Sequence, residues 1–164
     1  MKQGTERRGS ATVGYLRDLD PVEASAVIYM RMWFDGPESQ SLVWNDFATA
    51  LGSSYGRKAL RDFEQLCGLC ARHGRRPLMR HSVACACLGA DEATFANIVG
   101  FAGEMAREDA FLMAANLVRP EMAAAIVSLA ETFGLTLRRM MSVSDHHPAH
   151  VLKTFHHPDP TKLH

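Results

Sequence analysis

Two runs decide how this chain folds: Ala110-Phe111-Leu112-Met113-Ala114-Ala115 and, beyond Arg119-Pro120, Met122-Ala123-Ala124-Ala125-Ile126-Val127. Neither alternates apolar with polar residues, as a half-buried strand would. Both are rich in Ala, Leu and Met, which lose little on entering a helix. Pro120 fits the first position of a helix, where its missing N–H has no partner to lose. The runs predict helices over 105–118 and 120–133, with Gly134 as the C-cap that stops the second. Both are apolar nearly all the way round, which places them in the middle of a bundle or in an interface.

The same signals recur upstream. Asp20-Pro21-Val22-Glu23 supplies an N-cap, a proline at the first helical position and an acid in the first turn, so a helix runs from there to about Phe34. Pro37-Glu38 opens the next. Val43, Phe47, Ala50 and Leu51 recur at helical spacing along it, and Gly52 ends it. A third helix spans 54–73, with Leu60, Phe63, Cys67 and Cys70 on one face and Gly74 as its stop. Gly89-Ala90-Asp91-Glu92 is a turn followed by a helix over 91–103. No strand series and no solenoid repeat is visible. The expected fold is an all-α single domain of six or seven helices over 20–141. A flexible N-terminal segment, 1–19, precedes it and a His-rich tail, 142–164, follows, holding six of the eight histidines.

The length, 164 residues, suits one domain. With 47% hydrophobic and 22% charged residues the chain is globular rather than disordered. Lys plus Arg equals Asp plus Glu, at 18 each, which argues against bulk attraction to nucleic acid or an anionic membrane. No apolar stretch approaches a membrane span and residues 1–17 have no signal-peptide core, so a cytoplasmic protein is expected. The zero balance is not local. Residues 51–90 carry seven basic against two acidic side chains, and residues 91–135 carry two against seven. Arg72, Arg75, Arg76 and Arg80 could grip an anion such as phosphate. They could equally pair with the acidic segment inside the fold. Nucleic-acid binding has little further support, since no aromatic residues interleave the basic ones and no helix-turn-helix signature is present.

The densest chemistry is Cys67, Cys70, His73, His81, Cys85 and Cys87, six possible metal ligands within 21 residues. Thiolates and imidazoles suit zinc and, less well at this spacing, an iron–sulfur cluster. The rival reading is packing, because Cys67 and Cys70 share the apolar face of the third helix. A thiol redox switch is a further possibility. Pro77–Leu88 decides among them. As a helix it puts His81 and Cys85 on one face and turns Cys87 about 160° from Cys85. As an extended segment it puts His81, Val83, Cys85 and Cys87 on one side.

No catalytic constellation stands out: there is no Gly-x-Ser-x-Gly, no P-loop, no dinucleotide fingerprint and no His-Glu-x-x-His. The expectation is a small, non-enzymatic regulatory or adaptor protein with a candidate Cys/His structural metal site. The alternatives are an anion or nucleic-acid binder working through the arginines, a redox switch, and a plain helical oligomer joined through helices 105–133.

Overall fold

The structure, a computed structural model, describes residues 9–143. The His-rich tail from residue 144 onward, and residues 1–8, lie outside the described residues. Among the described residues six helices carry the fold: α1 (Pro21–Asp35), α2 (Pro37–Leu51), α3 (Ser53–His73), α4 (Ala90–Gly103), α5 (Arg107–Leu117) and α6 (Pro120–Val143). A two-stranded antiparallel ribbon joins β1 (Thr12–Tyr15) to β2 (Cys87–Gly89). The architecture is thus mostly helical, with one small sheet added to the all-α expectation. Among the described residues no helix is long and apolar enough to cross a membrane.

Local rules explain most boundaries. The Asp20 side chain accepts from the Val22 N–H at 2.9 Å and caps α1. Gly36 and Gly52, at φ +136° and +80°, take the left-handed corners between α1, α2 and α3. The core is aromatic at its centre. Phe63 stacks on Phe133 at 4.6 Å, Phe47 packs against both, and Tyr29 and Trp33 of α1 meet Phe47 and Phe63 edge-on.

Two expectations are corrected. The N-terminal segment was expected to be flexible up to residue 19, yet β1 and a short 3-10 turn at Leu16–Asp18 build its second half into the fold, with Leu16 buried. The reason is a pairing with a distant part of the chain: Leu16 N–H donates to Ala86 O at 3.0 Å, and Thr12–Tyr15 pairs with β2. Gly134, expected to cap a helix ending at 133, lies inside α6, which runs on to Val143. The buried stripe Ile126, Ala130, Phe133, Leu137 and Met140 keeps its four-three spacing straight through that glycine. The glycine's role is close packing. A Cβ at Gly134 would stand 2.8 Å from Val99 O and 2.9 Å from Gly103 Cα, so α4 and α6 cross backbone to backbone.

The two apolar helices are also not buried all round. α5 buries Ala110, Ala114 and Leu117 and leaves Phe111 and Leu112 outward.

Candidate functional site: the segment from Gly74 to Glu92

Between α3 and α4 the chain runs without regular structure from Arg75 to Ala86, and such a stretch needs outside partners for its backbone. Two adjacent acids at the start of α4 supply them. Asp91 accepts both Arg76 Nη atoms at 2.6 and 2.7 Å and the Met79 N–H at 2.9 Å. Glu92 accepts Arg31 Nε and Nη2 at 2.7 and 2.8 Å, the His81 N–H at 2.9 Å and the Gly89 N–H at 2.8 Å. The His81 ring nitrogen Nδ1 also stands 3.0 Å from Glu92.

Arg31 completes the device from the other side. It rises from the middle of α1, within the apolar run Val27-Ile28-Tyr29-Met30-Arg31-Met32, and its side chain is fully buried, as is that of Glu92. Its guanidinium donates to Cys85 O and Cys87 O at 2.6 Å each and to Ser82 O at 3.2 Å. Five of its bonds therefore hold one carboxylate and three loop carbonyls. Among the described residues no buried side-chain nitrogen or oxygen is left unpaired, which is the condition under which a buried ion pair is tolerable.

Burial pushes the Glu92 carboxyl up, but the Arg31 bond, the Gly89 and His81 N–H groups and the Arg31 charge outweigh it and hold the group at about 2. The consequence for stability has a definite sign. A carboxyl depressed from 4.5 to about 2 stabilises the fold above 4.5, and that contribution drains away as pH falls toward 2. The Tm difference between wild type and Glu92→Gln is expected to shrink steadily across that window. A difference that stays constant from neutral pH to the acid limit would count against the assignment.

The six candidate metal ligands are distributed as follows. Cys67 and Cys70 are buried on the inner face of α3. Burial pushes the Cys67 thiol well up and the Cys70 thiol to about 12. His73 ends α3, and its carbonyl accepts from the Arg119 N–H at 3.0 Å. His81 is turned to Glu92. Cys85 and Cys87 lie half-buried on the loop and β2. Among the described residues no group of three or more His, Cys, Asp or Glu side chains is placed to hold a metal ion. The loop is neither a helix nor extended throughout: Ser82 to Cys85 make a turn, and the chain enters β2 only at Cys87, although exposure alternates along it. His81, Val83, Cys85 and Cys87 are half-buried while Ser82, Ala84 and Ala86 are exposed, a period of two.

The four arginines diverge. Arg76 is committed to Asp91, Arg75 Nε donates to Ala115 O at 2.7 Å, and Arg80 donates to Phe34 O at 2.9 Å and lies over the Phe34 ring. The Arg72 guanidinium lies back along Gly68 of its own helix. Part of the basic segment thus pairs with the acidic one inside the fold.

Arg31, Asp91 and Glu92 are the residues that sequence reasoning missed as a site. The available signal was a single arginine inside an apolar helix, which cannot be buried without an acid to meet it. No protein-family model, no curated protein and no solved structure matches the chain.

Proposed function

We propose that this is a small non-enzymatic regulatory or adaptor protein that works by self-association through the outer face of α5. The observation that carries this reading is a self-complementary stripe. Glu108, Leu112 and Ala115 recur at four and three residues along α5, and Arg119 follows just beyond its end. Leu112 is 61% exposed and Phe111 beside it 41%. With Arg107, Glu108, Ala124 and Val127 they line an open groove of about 420 Å³ between α5 and α6. Large exposed apolar side chains beside a groove mark an interaction surface.

The charges at the two ends select the partner. An antiparallel second copy of α5 brings Glu108 of each chain to Arg119 of the other and lays Leu112 against Ala115 across the two-fold axis. An isologous dimer makes every contact twice in this way. Antiparallel α5 helices also set the positive end of each macrodipole beside the negative end of the other. Among the described residues neither Glu108 nor Arg119 is in an ion pair.

Sedimentation of the full chain tests this. The wild type is expected to run as a dimer and Leu112→Glu as a folded monomer. Glu108→Arg alone should weaken the dimer, and adding Arg119→Glu should restore it. A monomeric wild type at high concentration, or a dimer indifferent to Leu112→Glu, overturns the reading.

A further inference from the structure

The four cysteines fall into two chemically different pairs. Cys67 and Cys70 are enclosed by the core on the inner face of α3. Cys85 and Cys87 are half-exposed, lie two residues apart on the same side of the chain, and are close enough for their thiols to interact. The neighbouring Cys85 thiol and burial push the Cys87 thiol up, and the Thr12 side chain of β1 and the Arg31 charge oppose that rise without overcoming it. The backbone beneath the pair is fixed. Arg31 holds Cys85 O and Cys87 O, Leu16 N–H holds Ala86 O, and the Cys85 N–H closes a turn onto Ser82 O at 3.1 Å. Two convergent sulfurs on a rigid, accessible strand are a preorganised ligand set.

We propose that Cys85 and Cys87 form a two-thiolate binding site for a soft monovalent cation of the Cu(I) class. Thiolate softness selects such ions over hard cations, and two sulfurs alone satisfy linear coordination but not the four-ligand shell that zinc requires. The span also fits. A linear S–metal–S unit separates its sulfurs by about twice the ~2.3 Å of a metal–thiolate bond, a span that side chains on one side of an extended chain, with Cα atoms about 6.6 Å apart, can meet by rotation.

A disulfide fits less well. Extended residues two apart hold their Cα atoms about 6.6 Å apart, at the far edge of the range a disulfide bridges. Closing the bond would buckle Cys85–Cys87 and tear its carbonyls from Arg31. In cation binding two S–H protons leave to solvent, two S–metal bonds form and no electron moves. The complex keeps one net negative charge beside the Arg31 guanidinium. Because protons are released, affinity rises with pH.

The test is an anaerobic titration of the reduced full chain with Cu(I), in competition with a chromophoric Cu(I) chelator. The expected result is one tightly held equivalent, bound more tightly as pH rises, that protects Cys85 and Cys87 from iodoacetamide. The double variant Cys85→Ser/Cys87→Ser should lose that equivalent while keeping the wild-type circular dichroism and Tm. Both positions are half-exposed, so serine is tolerated there. Cation retained by the double variant would place the binding elsewhere, on the histidines or the other thiols, and overturns the proposal. So does displacement of the bound Cu(I) by an equal concentration of Zn(II).

Discussion

Glu92→Ala is expected to be among the most damaging single substitutions in this chain, costing about 3–5 kcal/mol. The cost is the charge left behind. Without the carboxylate, Arg31 remains fully buried in α1 with its positive charge unpaired, and the His81 and Gly89 N–H groups lose their acceptor. Arg31→Met should cost a similar amount, since it strands Glu92 and three loop carbonyls. Many buried ion pairs can be exchanged for apolar side chains at no loss. This one is expected to differ. In the double variant Arg31→Met/Glu92→Met the charges are gone, but five backbone groups of the 81–89 stretch still need partners. The double variant should therefore stay well below wild type. Urea denaturation of the four proteins checks this, and a double variant as stable as wild type would show that the pair does not hold the loop.

Gly134→Leu should be nearly as harmful, for a different reason. Its Cβ alone would stand 2.8 Å from a backbone oxygen and 2.9 Å from a backbone Cα on α4. No side-chain rotation relieves a contact with backbone, so the two helices must move apart along a shared core. Overpacking usually costs about 1–3 kcal/mol. The backbone contact on both sides puts this substitution at or above the upper end. Leu135→Ala, one residue along and nearly half exposed, is the control and should change Tm little. Both substitutions raise helix propensity, so a fall in Tm confined to Gly134→Leu in thermal unfolding is a packing effect.

The helices were legible because each announces itself within a few residues. Asp20-Pro21, Pro37, Gly52, Gly74 and Pro120 mark ends by backbone rules that need no tertiary context. Gly134 misled because glycine has two uses, capping a helix and letting two backbones touch, and only the position of α4 distinguishes them. The apolar stripe continuing to Leu137 and Met140 was the available clue. The site was harder. Its density of Cys and His drew attention to the segment 67–91, but two of the thiols belong to the core. The residues that organise the loop are also distant in sequence, since Arg31 lies 61 positions from Glu92. Such a pairing has no local pattern, and only the burial of an arginine in an apolar helix hints at it. Arg76 and Asp91 show the same for charge: two opposite blocks predict neutralisation without saying which members meet.

The small ribbon has a bearing on the order of folding. About half of the helix packing in this protein joins helices consecutive in the chain, whose contacts form early because little chain must be closed between them. β1 and β2 are separated by roughly seventy residues of helix and loop, an entropic cost that three residue pairs cannot meet unaided. The strand can dock only on a scaffold already assembled, with Arg31 in place against the carbonyls of Cys85 and Cys87. β1 is thus the last part to dock, onto a β2 that Arg31 already holds, and Thr12–Tyr15 should exchange its amide hydrogens well ahead of the helices.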